Sequence, residues 1–230
     1  MSNGSTITRA GKMTGVTPSN PWLEIPAADY EGHMGETGVD QLGPLREILA
    51  RVYQEVRPRR VAVLGCGPGG GLEIVDPACT ERLVGVDLNP DYLALARERH
   101  SRLEAIAEWK CVPVQQCDLP AATFDLIHAA LMFEYVDPAE VLPAVARWLA
   151  PQGVLSVVLQ LPGGDAPISD TGFSRLGLLS GLMQLVPPDR LCALAARVGL
   201  ILRSSAEVPL ARGKRFWTGT FARGDRASPT

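Results

Sequence analysis

The densest run of residues able to do chemistry is Val61-Ala62-Val63-Leu64-Gly65-Cys66-Gly67-Pro68-Gly69-Gly70-Gly71. A β-branched apolar stretch enters a turn with glycine at 65, 67, 69, 70 and 71. Glycines there adopt φ/ψ values closed to other residues and let backbone N–H groups approach a ligand without a Cβ in the way. Gly65, Gly67 and Gly70 fit the GxGxxG spacing, which gains meaning from the strand before it and the helix expected from about Leu72. The second element is Val84-Gly85-Val86-Asp87-Leu88, with Asp87 twenty positions beyond Gly67. A carboxylate at such a strand end accepts both hydroxyls of a ribose, as every adenosine-bearing cofactor demands. Cys117-Asp118-Leu119 is expected to close the third strand, where a carboxylate would accept the adenine amino group. Ala129-Ala130-Leu131 closes the fourth with residues small enough for a ligand to reach the backbone.

These strand ends need a scaffold that brings them to one edge, and the rest of the chain supplies it. Leu42, Leu45, Ile48, Leu49, Val52, Tyr53 and Val56 recur at helical spacing, giving a helix over 40–57 that stops at Pro58. Strands are expected at 60–66, 83–88, 109–117, 124–130 and 153–161, with helices at 90–107 (Asn89 as N-cap, Pro90 in the first turn) and 138–149. A helix over 188–198 ends at Gly199, and strands 200–208 and 215–222 follow without a helix between them. Alternating strands and helices argue for a parallel sheet covered on both faces, and the last two strands for an antiparallel edge pair. Residues 163–186 break the alternation. They begin as a Gly/Pro/Asp loop and become apolar, so they read either as a lid over the ligand edge or as an extra core helix.

Composition narrows the classes. The 230 residues carry a net charge of −3 and 46% hydrophobic residues, which suits one large domain and not a disordered chain. Excess Lys and Arg, on which nucleic-acid binding rests, is missing. Cysteines 66, 79, 111, 117 and 192 show no CxxC pair or zinc-like spacing; they read as reduced core residues of a cytoplasmic protein, with no metal site expected. Residues 1–21 read as a mobile lead without the apolar core of a secretory signal, and 224–230 as a tail. No apolar run is long enough to span a membrane.

With these residues in place, the sequence resembles the class I S-adenosylmethionine-dependent methyltransferases over roughly 22–223. The resemblance is carried by VLGCGPGGG at 63–71, VGVDLNPDYLALAR at 84–97, QQCDLP at 115–120, FDLIHAALMFEYV at 124–136 and LAPQGVLSVV at 149–158. The stretch from Ile25 to Met34 resembles the lead-in of bacterial members of unassigned substrate. The resemblance implies an α/β, Rossmann-like, doubly wound sheet of seven strands, order 3-2-1-4-5-7-6, with strand 7 antiparallel. It implies a single domain over 22–223 that binds S-adenosylmethionine and releases S-adenosylhomocysteine. Gly65, Cys66 and Gly67 would pack against the methionine part, Asp87 would hold the ribose, and Leu88 would flank the adenine. Asp118 and Leu119 would read the adenine edge, and Ala129 would contact the methionine portion. Tyr30 and His33 would close the cofactor from above. Members usually carry an acidic residue two positions before the first glycine, and here that position is Val63.

Methyl transfer is an in-line displacement in which the cofactor brings the reactive group, so the protein needs a base only when the acceptor must shed a proton early. Glu134, Tyr135 and His33 are the candidates for that base. His128, in the fourth strand, reads as a hydrogen-bonded core residue; His100, in an arginine-rich helix, reads as solvated. No Asn/Asp-Pro-Pro-aromatic run, catalytic Pro-Cys pair or paired-Glu loop is present, which argues against bases and arginine as acceptors. A small molecule with a hydrophobic portion is the expected acceptor. Two alternatives are a nicotinamide-dependent oxidoreductase, disfavoured because no Tyr has Lys four positions later, and a catalytically idle binding or regulatory module of the same fold.

Overall fold

The computed structural model describes residues 20–35, 39–163 and 167–224. The expected mobile lead lies outside them except for Asn20 and Pro21, and so does the tail beyond Gly224. Strands β1 (Arg60–Leu64), β2 (Arg82–Asp87), β3 (Ala107–Cys111), β4 (Phe124–Ala130), β5 (Leu149–Gln160), β6 (Leu200–Pro209) and β7 (Arg215–Arg223) form one sheet. Its order is β3-β2-β1-β4-β5-β7-β6. The first five strands are parallel, and β7 runs antiparallel between β5 and β6. The seven-stranded order implied by the resemblance is the observed one.

Central position explains the composition of β1. Val61 to Leu64 are all buried, because helices cover both faces of the sheet. Alternation then divides them: Ala62 and Leu64 face the layer packed by α4 (Pro138–Trp148) and α5 (Pro188–Arg197). Val61 and Val63 face α2 (Leu42–Val56) and α3 (Pro90–Arg99). Each fully buried Leu, Ile or Phe of these layers contributes roughly 1.5–3 kcal/mol. Trp148 and Trp217 pack in the first layer, and His128 is buried with Nδ1 3.1 Å from the Ser156 hydroxyl. Burial lowers the His128 pKa to about 4, so the ring is neutral.

Three expected elements change. The glycine turn is followed by one 3-10 turn at Leu72–Ile74, not by a helix. Pro77 lies only six residues past Gly71, lacks an N–H and pushes Asp76 out of helical geometry, so no helix can grow there. The third strand ends at Cys111, because Pro113 cannot donate to the ladder and a 3-10 turn, Val114–Gln116, follows. The helix from Pro90 stops at Arg99. All five cysteines are free, but Cys79 and Cys111 are exposed and do not join the core. Among the described residues of 163–186 the regular element is a 3-10 turn, Ser174–Leu179. Its Leu176 and Leu179 form a small cluster with Ile25, flanked by Trp22, Tyr30, Tyr135 and Phe173. The 3-10 turn therefore packs on Pro21–Glu24 and α1 (Ala27–Met34), outside the main core, whereas Val186 at the close of the segment joins that core. No helix among the described residues is long and apolar enough to cross a membrane.

Candidate active site

The glycine turn earns its composition at alternate positions. Gly65, Gly67, Gly69 and Gly71 hold φ of 68°, 53°, 88° and 87°, whereas Gly70 does not need positive φ. A Cβ at Gly69 would sit 2.9 Å from the His100 ring. At Gly67 the nearest atom is the Tyr30 ring, 3.8 Å away, so this glycine faces open space under an aromatic. The carbonyls of the turn are gripped from behind. Arg99 donates to Pro68 O at 3.4 Å, His100 Nε2 to Gly69 O at 2.8 Å, and Arg102 to Glu73 O and Val75 O at 2.6 and 2.7 Å. His100 is thus a buried brace, contrary to its expected place in solvent, because α3 ends early and turns the ring inward.

Asp87 closes β2 beside this turn. One carboxylate oxygen accepts the Gly67 N–H at 2.8 Å and the other accepts the Asn89 N–H at 2.9 Å. Burial raises its pKa, while those amides and that of Leu88 pull the other way. Asn89 caps α3 through the Asp91 and Tyr92 amides and donates to Trp22 O at 2.9 Å, tying the N-terminal lead to the strand end.

A cavity opens over the C-terminal ends of β1, β2, β4 and β5. Its floor includes Gly65, Gly67, Asp87, Leu88 and Ala130 to Met132; its roof includes Trp22, Tyr30, His33, Tyr135, Leu176 and Leu179. Leu131 takes a left-handed φ of 51° as the chain leaves β4, a local strain held by its N–H to Val158 O at 2.9 Å. Two buried polar atoms of lining residues, Gln41 Nε2 and the Tyr92 hydroxyl, have no hydrogen-bond partner among the described residues. A strand-end acid beside a glycine turn, with buried polar groups on residues that line the same cavity, fits an adenosine-bearing cofactor.

Residues 62–157 match the family described as "Methyltransferase domain". That stretch of the chain is similar to a methyltransferase domain. Over 125 residues, 52% of this chain and 44% of the relative, it is 35% identical to a trans-aconitate 2-methyltransferase of Rhodopseudomonas palustris. The chain therefore spans less than half the length of the curated relatives it matches. Among solved structures it resembles the N-methyltransferase NodS of Bradyrhizobium japonicum in complex with S-adenosyl-L-homocysteine (TM-score 0.62, 17% identity, 80% of this chain and 88% of that one). It also resembles an S-adenosylmethionine-dependent methyltransferase of Mesorhizobium loti (TM-score 0.61, 19% identity, 76% and 98%). The fold is that of the class I S-adenosylmethionine-dependent methyltransferases.

The expected site residues divide. Tyr30, Gly65, Gly67, Asp87 and Leu88 line the cavity together. Cys66 does not: its Sγ lies in the core under Gly85, and burial pushes its thiol pKa well up. Asp118 is displaced because β3 ends at Cys111; its side chain is 85% exposed and pairs with Arg147 at 2.7 Å. Leu119 is buried in the core below. The cavity edge there is instead Val112 to Gln115. Ala129 faces the core, and its neighbour Ala130 faces the cavity, as strand alternation requires. Val63 is buried among Leu49, Leu72 and Leu83 and does not line the cavity.

The three base candidates also divide. Glu134 is buried and does not line the cavity. One of its carboxylate oxygens accepts the Gln160 N–H at 2.7 Å, its backbone carbonyl accepts the Gln184 N–H at 2.7 Å, and burial lifts its pKa to about 7. It joins the loop after β4 to the end of β5 and to the close of the 163–186 segment. Tyr135 lines the cavity, with its pKa raised by burial and by Glu134. His33 lines it too; its Nδ1 is 2.7 Å from the Thr171 hydroxyl, and burial, then the charge of Lys214, lowers its pKa. Lys214, Gln160, Gln115 and Tyr92 are cavity residues that local motif spacing did not find.

Proposed function

We propose that the protein transfers a methyl group from S-adenosylmethionine to a small-molecule acceptor with an apolar portion, releasing S-adenosylhomocysteine. The observation that carries this reading is Asp87, bound to the Gly67 amide and lining a cavity, within the stretch that is similar to a methyltransferase domain. The R. palustris relative is named for a small molecule, trans-aconitate, which supports the acceptor class. The apolar portion is supported by Ile168, Leu176, Leu179 and Met183 on the cavity wall.

Asp87 would receive the ribose hydroxyls, Leu88 and Val112 to Gln115 would flank the adenine, and Gly65 and Gly67 would lie under the methionine chain. Gln41 and Tyr92 would supply the polar contacts that Val63 cannot. When bound, the sulfonium supplies an electrophilic methyl group. Trp22, Tyr30 and Tyr135 stand edge to face (Trp22–Tyr135 centroids 4.9 Å, Trp22–Tyr30 6.0 Å), and ring faces of this kind attract a cation. Residues 168–179, packed with those rings, act as the lid that keeps water out.

His33 is the base this geometry supports, since a lowered pKa leaves the imidazole neutral and able to take a proton at pH 7. Tyr135, with a raised pKa, is a hydrogen-bond donor, and Glu134 positions Gln160. Five free thiols support a reducing, cytoplasmic setting, and a net charge of −3 supports an acceptor other than nucleic acid. Calorimetric titration tests the reading: S-adenosylhomocysteine should bind and NADH should not. Binding of NADH alone would replace it with the oxidoreductase reading, and binding of neither with that of an idle module.

A further inference from the structure

We propose that Thr171 is the positioning residue of the base: its hydroxyl accepts the His33 Nδ1–H and so leaves the Nε2 lone pair to the substrate. Docking of residues 168–179 on α1 is what puts the hydroxyl there. This rests on the methyl-transfer reading with His33 as its base, and it adds a residue to that step.

The segment meets α1 at three successive points. Arg175 Nε lies 4.0 Å from Asp29 Oδ2. The Phe173 ring sits on Gly32 so closely that a Cβ there would stand 2.3 Å from its Cζ. Thr171 Oγ1 lies 2.7 Å from His33 Nδ1. Segment and helix thus run in opposite directions, with 175, 173 and 171 against 29, 32 and 33. Gly172 takes a φ of 83°, and its N–H is held by Asp170 Oδ1 at 3.1 Å, so a fixed turn presents Thr171 and Phe173 to the helix. Gly32 lies inside α1, where glycine costs about 1 kcal/mol against alanine, and its missing Cβ is what seats the ring.

The two nitrogens of His33 have different surroundings. His33 lines the cavity and Thr171 does not, so Nδ1 is turned to the segment and Nε2 is the nitrogen left for a ligand. A hydroxyl can serve Nδ1 as donor or as acceptor. As donor it would place the neutral ring's proton on Nε2, which then could take no other. As acceptor it places that proton on Nδ1 and frees Nε2. In the step, the substrate's proton passes to Nε2 and the ring becomes an imidazolium. The substrate's electron pair forms the bond to the methyl carbon, while the carbon–sulfur bond breaks and its pair stays on sulfur. Burial, then the charge of Lys214, disfavours the imidazolium, and an oxygen accepting from Nδ1–H offsets part of that cost. A tie that merely fastened the segment would work with either tautomer. A base requires one.

The test observes the ring nitrogens of the full chain, isotope-labelled at histidine and saturated with S-adenosylhomocysteine. It is run at about pH 8, where the ring is neutral, and the His33 signals are those lost in His33→Gln. Wild type should carry the proton on Nδ1. Thr171→Val should shift the tautomer ratio towards Nε2–H by about tenfold, the factor that one hydrogen bond of about 1.4 kcal/mol supplies, and Thr171→Ser should keep the wild-type ratio. Gly32→Ala should shift it in the same direction although His33 and Thr171 both remain, because the added methyl displaces Phe173. Alanine favours a helix, so α1 itself is not weakened. Amide resonances of β1 to β5 show that each variant is folded. Should one not fold, wild type and Thr171→Ser decide.

A proton on Nε2 in wild type overturns the proposal, as does an unchanged ratio in Thr171→Val or a shifted one in Thr171→Ser. An unchanged ratio in Gly32→Ala overturns the docking on which it depends. If wild type fails to bind S-adenosylhomocysteine, the methyl-transfer reading has failed and takes the base with it. If binding holds and the tautomer is the wrong one, this proposal alone has failed.

Discussion

The two ends of the cavity are built from different materials. At the end formed by the glycine turn and Asp87 the contacts are backbone: four glycines at positive φ, amides of Gly67 and Asn89 on one carboxylate, and carbonyls clasped by the 99–102 stretch. At the other end, which the proposed function gives to the acceptor, they are side chains from four separated stretches: Trp22 to His33, Tyr135, residues 167–183 and Lys214. A backbone cradle demands particular residue types at fixed short spacing, so it constrains sequence tightly. A side-chain wall requires only that the fold bring the stretches together, so its residues can vary with the ligand. The cofactor end should therefore be brittle to substitution and the acceptor end tolerant in stability but sensitive in specificity.

The largest effect expected is at Asp87. Replacing it by Ala removes the ribose acceptor and frees the Gly67 and Asn89 amides, so S-adenosylhomocysteine affinity should fall by at least about tenfold to a hundredfold in calorimetry. Retained affinity would show that the cradle is not anchored at β2. Next is Val63→Asp, which installs the acid usual in the family. Because Val63 is packed in the apolar layer with Leu49, Leu72 and Leu83, the variant should lose about 2–4 kcal/mol in urea unfolding and gain no cofactor affinity.

Glu134 tests the join between the ends through pH. Its carboxyl titrates at about 7 in the native state, against 4.5 ordinarily. Below 4.5 both native and unfolded chains hold the proton, so its contribution is complete there. Between 4.5 and about 7 the unfolded chain releases it first, so native stability falls as pH rises through this window, by up to about 3 kcal/mol. Glu134→Gln keeps an oxygen for the Gln160 N–H and should flatten that slope when unfolding is compared at pH 5 and pH 8. An unchanged slope would place the proton elsewhere. The smallest effect is His100→Ala, expected to cost about 1–2 kcal/mol and to weaken cofactor binding only a few-fold, as a brace and not a contact.

How much of this was legible in the sequence follows the same division. The sheet order and the pair Gly67–Asp87 could be read because strand, turn and acid lie within one stretch of chain and obey local rules. Asp118 was misplaced by the length of one strand: Pro113 was the signal, and it ends β3 early enough to put Gln115 where the acid was expected. Pro77 carried the same kind of message for the missing helix. Ala129 and Cys66 were one residue off in facing, which a strand's period of two makes decisive. Lys214 was invisible to motif spacing, although the antiparallel final pair already fixes which end of β7 meets the ligand edge. His100 was misjudged because a helix that stops at Arg99 turns its next side chain inward.

The clasp behind the glycine turn has a mechanical consequence. With only a 3-10 turn after Gly71, the loop has no helix of its own to keep it stiff, and its rigidity is supplied by Arg99, His100 and Arg102. Arg99 also holds Glu31, one residue from Tyr30 and two from His33. One arginine therefore couples the floor of the cavity to its roof. The pair is partly exposed and open to ionic screening, so salt should loosen floor and roof in concert, through a linkage that touches neither ligand.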